Sequence, residues 1–164
     1  MPYFIGWGRT ESFSNISFGF LQENGAFNYG VAYNVQSSTV VLGGYDNTLN
    51  MISSANNLSF ITGVYDKLTL GYNDGNQIVH DEGWGTSISI GPGFHGGLTI
   101  ADFGRDWAGT VQLHNQGYYD AAQVVAAERS DDHGGTLIPL ANSSALHFVG
   151  LSHVDASHFS VLHT

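Results

Sequence analysis

Gly43-Gly44-Tyr45-Asp46-Asn47 returns twenty residues later as Gly63-Val64-Tyr65-Asp66-Lys67, and Leu70-Gly71 returns as Ile90-Gly91. These turns lie within a stretch from Phe18 to Ile100 where residues at i and i+2 recur at the same interval: Phe18 and Phe20, Ser38 and Val40, Leu58 and Phe60, Ile78 and His80, Leu98 and Ile100. A second series fills the other half of each period: Tyr29 and Val31, Leu49 and Met51, Leu68 and Leu70, Ile88 and Ile90. Spacing by two marks short strands, because side chains alternate faces. Glycine, asparagine and aspartate between them supply turns. A unit of strand, turn, strand, turn that closes in about twenty residues and starts again predicts one coil of a parallel β-solenoid, each coil burying its inward residues against the next. Hairpins of a β-sandwich would space strands similarly but would not hold turn residues in phase.

Working outward, the chain is predicted to be all-β and one compact domain. Residues 1–15 form an N-terminal cap or first strand, 16–115 the coils, and 116–164 a C-terminal capping region of one short helix and further strands. Val111 and Leu113 follow Ile88 and Ile90 by twenty-three residues, so Asp102 to Gly109 reads as a loop bulging from the last coil. Asp120 to Arg129 is rich in alanine, and Asp120 is placed to cap it as a helix.

Four basic side chains stand against fourteen acidic ones, a formal charge of -10. Phosphate backbones need Lys and Arg, so no nucleic-acid partner is expected. With no cysteine, disulfides and thiolate metal sites are excluded. No apolar run approaches the ~18 residues of a membrane-spanning helix. Met1 to Arg9 lacks the basic start and apolar core of a cleaved signal peptide, so an extracellular destination would be reached without one.

A resemblance bears on that route. Ala101-Asp102-Phe103, Gly109-Thr110-Val111-Gln112-Leu113, the alanine-rich helix, Asp132-His133-Gly134-Gly135-Thr136-Leu137, His147-Phe148-Val149-Gly150-Leu151 and Ala156-Ser157-His158-Phe159 occur in that order. The set, over roughly residues 101–162, resembles a C-terminal module of bacterial RTX-like, type I-exported β-solenoid proteins. It departs from the module's pattern at Asp131-Asp132-His133, where an aspartate then glycine is usual, and at His158, where asparagine is common. The resemblance implies leaderless export and a solenoid context, and no activity. The upstream coils lack the nine-residue glycine- and aspartate-rich calcium repeat of such proteins; only Gly43-Gly44-Tyr45-Asp46 approaches it.

Candidate sites follow from the repeat. Asp46 and Asp66 would stack on adjacent coils about 5 Å apart, where two carboxylates either hold calcium or repel; the alternative is a pair of solvated turn residues. His80 falls at an inward position and reads as a core residue. His153, His158 and His163 are five apart, not at the i, i+4 spacing of a helical zinc pair. Asp74, Asp81, Glu82, Asp102 and Asp106 are the acidic candidates for a polysaccharide-active β-helix enzyme, and His80-Asp81-Glu82 is the best cluster for acid/base work. The scarcity of basic residues and the short solenoid weigh against catalysis, and no enzyme is expected.

A structural role is the first expectation. A solenoid has two ends, and end-to-end contact that does not close makes a filament of the chain with itself. Tyr3, Phe4 and Trp7 would meet the last strands near Phe148, Phe159 and Val161. The alternative is a glycan-binding adhesin module that uses aromatic rings and turn-facing Asn and Asp.

Overall fold

The computed structural model describes residues 3–72, 75–103 and 109–163, with side chains from residue 7 onward. Its strands are β1 (Tyr3–Trp7), β2 (Thr10–Ser17), β3 (Phe20–Ala26), β4 (Tyr29–Gln36), β5 (Thr39–Leu42), β6 (Thr48–Ile52), β7 (Asn57–Ile61) and β8 (Lys67–Leu70). They continue as β9 (Gln77–Asp81), β10 (Ser87–Ile90), β11 (Gly97–Ala101) and β12 (Thr110–His114). After helix α1 (Ala121–Ala126) come β13 (Arg129–Ser130), β14 (Thr136–Pro139), β15 (Ala145–Phe148) and β16 (Phe159–Leu162). Up to β12 the odd strands build one sheet and the even strands another. Neighbours within each are parallel, as in β1 with β3 and β2 with β4. The molecule is a parallel β-solenoid of about 5 turns, about 20 residues per turn, with one short helix near its C-terminus.

The register differs from the even interval of twenty. Phe20 pairs with Thr39 and Thr39 with Leu58, a step of nineteen; the step is twenty at Leu58 with Ile78 and twenty-one at Gln77 with Leu98. A slip of one residue exchanges the faces of a strand. The inward row of the odd sheet is therefore Leu21, Val40, Ser59, Val79, Ile100 and Phe148, all buried. His80, expected inside, points outward and stacks on Phe60 at 5.0 Å. Phe18 is 88% exposed at a left-handed turn. In the even sheet Leu49, Met51, Leu68, Leu70, Ile88 and Ile90 do face inward, while Tyr29 is exposed because Gly30 and Ala32 hold the inward positions. Each buried Leu or Ile contributes roughly 1.5–3 kcal/mol, so this shared core dominates the stabilisation.

The turns repeat on the same period. Gly8, Phe27, Asp46, Tyr65 and Gly85 occupy equivalent left-handed positions. Inside the turns, the backbone N–H of Arg9 donates to Asn28 Oδ1, that of Asn28 to Asn47 Oδ1, and that of Asn47 to Asp66 Oδ1, at 3.2, 3.1 and 2.8 Å. Gly44 adopts φ 109°, and a Cβ there would lie 2.1 Å from the Gly25 carbonyl oxygen of the coil before. Only glycine lets the two backbones approach so closely.

Beyond β12 the chain leaves the coil path. Asp120 caps α1 by accepting from the Gln123 N–H at 2.9 Å, as the sequence predicts, but the helix ends at Ala126. Arg129, expected within it, lies in β13, which pairs antiparallel with β14, as β14 does with β15. β15 and β16 then add a last rung to each sheet, Gly97 beside Ala145 and Val111 beside Phe159. Strands β1 and β2 are likewise paired within the sheets, so residues 3–15 are part of the first coil. Most of the expected Asp102 to Gly109 loop, residues 104–108, lies outside the described residues.

Candidate functional site

Along the edge where the odd strands pass to the even ones, Trp7, Phe27, Tyr45, Tyr65 and Trp84 form a continuous aromatic strip. Consecutive ring centroids lie 6.0, 5.5, 5.7 and 4.9 Å apart, tilted or edge to face. The rings alternate between two adjacent turn positions. Tyr45 bridges to Ala26 and Val64, and Val64 to Trp84, so Phe27 and Tyr65 each stand one position further on. Rungs of a sheet lie about 4.8 Å apart, and rings stacked on one position would meet face to face; the stagger produces the favoured edge-to-face contacts instead. All five remain exposed, from 39% at Tyr65 to 77% at Trp7.

Beside the strip, the outer face of the even sheet carries a groove of about 400 Å³ lined by Thr48, Lys67, Thr69, Ser87, Ser89, Gln112 and His114 among others. His114 Nε2 and Ser89 Oγ lie 3.0 Å apart in it. The Asp46 and Lys67 side chains, 3.7 Å apart, link groove to strip, since Asp46 follows Tyr45.

The nineteen-residue step separates the two expected calcium ligands. Asp66 stacks on Asn47 rather than on Asp46, and accepts from its backbone N–H and, at 3.1 Å, its Nδ2. Asp46 faces out toward Lys67. Burial pushes the Asp66 carboxyl up to about 6, against the opposing effect of the Asn47 donors. Glu23, further along the interior, is buried with both oxygens accepting no hydrogen bond among the described residues, and burial pushes it up to about 7.

Strand alternation also divides His80-Asp81-Glu82. Asp81 is buried, accepts from Thr86 Oγ1 at 2.7 Å and has its carboxyl pushed up by burial. His80 and Glu82 point out and meet Asp102 of the next coil: one ligating atom from each lies within 4.8 Å of the others, and His80 Nδ1 is 3.1 Å from Asp102 Oδ2. Asp74 and Asp106 lie outside the described residues. The tail histidines do not converge: His153 pairs with Glu128, while His158 and His163 meet the Gly109 and Tyr119 carbonyls.

Of the residues expected at an end-to-end contact, the Tyr3 and Phe4 side chains lie outside the described residues, and Trp7 heads the aromatic strip. Phe148 and Phe159 are core residues, and Val161 is half-buried against the same core. The sequence reading noted Trp7, Tyr45 and Tyr65 singly, but neither Trp84 nor the continuity of the strip. Its signal was one aromatic in each of the pairs Trp7-Gly8, Ala26-Phe27, Tyr45-Asp46, Val64-Tyr65 and Trp84-Gly85.

No protein-family model, curated protein or solved structure matches the chain.

Proposed function

We propose that the protein is a non-enzymatic, glycan-binding β-solenoid module of the extracellular space, whose binding surface is the aromatic strip with the neighbouring groove. The observation that carries this reading is the five-ring strip, Trp7 to Trp84, exposed along one edge of the coils. Aromatic rings offer large rigid apolar faces with polar tips, suited to the CH faces and hydroxyls of sugars. The adjoining hydroxyl and amide side chains supply hydrogen-bond partners without a strong local charge. With a chain charge of -10, neutral glycans are favoured over acidic ones. The C-terminal resemblance to RTX-like exported proteins supports the extracellular destination.

The test is affinity electrophoresis of the protein through gels containing neutral or acidic polysaccharides, followed by calorimetry on any glycan that retards it. Retardation by a neutral glycan, weakened in Tyr65→Ala and Trp84→Ala variants that keep the wild-type circular dichroism, is the expected result. Unretarded migration throughout, or variants that bind like wild type, would remove the strip from the function.

Self-association is a second reading, favoured by the unequal ends. β1 and β2 are terminal strands of their sheets, and exposed Trp7 and Phe18 adjoin them. Unpaired strand edges invite a further strand. At the other end α1 packs against β16, and an antiparallel hairpin flanks β15. Contact is then expected through the N-terminal end, with core residues Phe148 and Phe159 playing no part. Light scattering across a concentration series separates a growing assembly from a monomer.

A further inference from the structure

The His80, Glu82 and Asp102 side chains meet on the outer face of the odd sheet, where β9 ends three residues before Trp84 of the aromatic strip. We infer that they form a binding site for a divalent transition-metal ion of the zinc class. Alternation along β9 and into the next turn sends residues 80 and 82 to the same face. Ala101 pairs with His80, which brings Asp102 of the following coil beside them. Three donor atoms, one from each side chain, lie within 4.8 Å of one another.

The donor chemistry differs from that of a surface carboxylate patch. One imidazole nitrogen with two carboxylates suits zinc and its neighbours, whereas calcium prefers six to eight oxygens. Zinc bound at lengths of about 2.0–2.1 Å in a tetrahedron separates its ligand atoms by roughly 3.3 Å. His80 Nδ1 and Asp102 Oδ2 already stand 3.1 Å apart. An ion bound between them would take the place of the proton in that hydrogen bond, and the exposed Glu82 carboxylate, its donor atom within 4.8 Å of both, would close in as the third ligand.

The imidazole is also held in place. Phe60, one coil earlier, stacks on the His80 ring at 5.0 Å with the planes only 17° apart. Fixing a ligand's ring reduces the ordering that metal binding must supply. His80 and Glu82 belong to one coil and Asp102 to the next, so the ion would cross-link two rungs. With three protein ligands, a position remains for water or an exogenous donor.

Calorimetry and native mass spectrometry of the metal-stripped chain with zinc, and separately with calcium, test the site. One zinc per chain is expected, with weaker or no calcium binding and a higher melting temperature in zinc. His80→Ala and Glu82→Gln should each weaken zinc by on the order of tenfold or more, the size that changes around a metal site commonly produce. Glu82 is exposed, so its variant serves even if His80→Ala disturbs the coil. His153→Ala, which removes a histidine paired with Glu128, should bind zinc like the parent. Absence of zinc binding, retention of affinity in folded Glu82→Gln, or loss in His153→Ala instead would overturn the assignment.

Discussion

Asp66 and Asp131 are both aspartates in connections between strands that accept backbone N–H groups, and their acidities are driven in opposite directions. Asp66 lies inside a solenoid turn; it takes two donors from Asn47 on one oxygen, and its Oδ2 accepts no hydrogen bond among the described residues. Asp131 lies in the C-terminal turn, where Oδ1 accepts from His133 and Gly135 at 2.8 and 2.7 Å and Oδ2 sits 2.7 Å from His147 Nε2. Burial pushes Asp66 up to about 6, whereas the Gly135 and His133 donors, followed by His147, hold Asp131 down at about 2. The difference lies in water and in the second oxygen. Two hydrogen bonds do not offset desolvation when half of the carboxylate is left without a partner.

The largest consequence concerns the whole chain. Glu23, raised from 4.5 to about 7, and Asp66, raised from 3.8 to about 6, bind protons more tightly folded than unfolded. Stability is therefore fullest near pH 4 and falls as pH rises toward 7, with no further loss from these two groups above it. The combined shifts correspond to a decline on the order of 6 kcal/mol. Asp131, lowered from 3.8, works in reverse: its contribution is present above that value and is lost as pH falls through about 2. Denaturant unfolding across this range should show a maximum on the acid side; a plateau from pH 5 to 8 would contradict the buried-carboxylate account.

A sharper probe is Asp66→Asn. Asn47 and Asn28, its equivalents one and two coils back, donate Nδ2 to the carbonyls of Gly43 and Asn24, four residues earlier in each case. An asparagine at 66 would extend that pattern and remove the buried charge. We expect a gain of up to about 3 kcal/mol near pH 8 that vanishes near pH 4. A gain equal at both values would mean that packing, and not ionisation, sets the difference.

The smallest effect is expected from His147→Ala. It withdraws the partner of Asp131 Oδ2 but leaves the two backbone donors on Oδ1. Melting temperature should fall slightly at neutral pH, and the Asp131 carboxyl, followed by NMR titration, should rise while staying below 3.8. A return to that ordinary value would assign the depression to the imidazole rather than to the turn.

The solenoid was legible because turns such as Gly43 to Asn47 and Gly63 to Lys67 repeat, and repetition survives an error of one residue in the period. Faces do not survive it. Alignment at twenty put Tyr45 over Tyr65 and Asp46 over Asp66; pairing at nineteen put Tyr45 over Val64 and Asn47 over Asp66. The aromatic strip and the divided aspartates both follow from that one residue. His80, Asp81 and Glu82 were recognisable as a chemical cluster, but dividing them between inside and outside needed the register of β9. Asp102 could join His80 only once the twenty-one-residue step from β9 to β11 was known.

The last rung of the solenoid carries a consequence for the order of folding. Earlier rungs join strands nineteen to twenty-three residues apart, whereas β15 reaches β11 and β16 reaches β12 across forty-eight. The added loop-closure cost is only about 0.8 kcal/mol, but the chain that spans it includes α1 and the β13–β14 hairpin, which pack on β16 and β15. Until the final rung docks, β11 and β12 are open edges, and the core residues Ile100, Val111 and Leu113 lack the neighbours that bury them. The interval between coil formation and this docking is when the nascent chain is most vulnerable to pairing with another copy of itself.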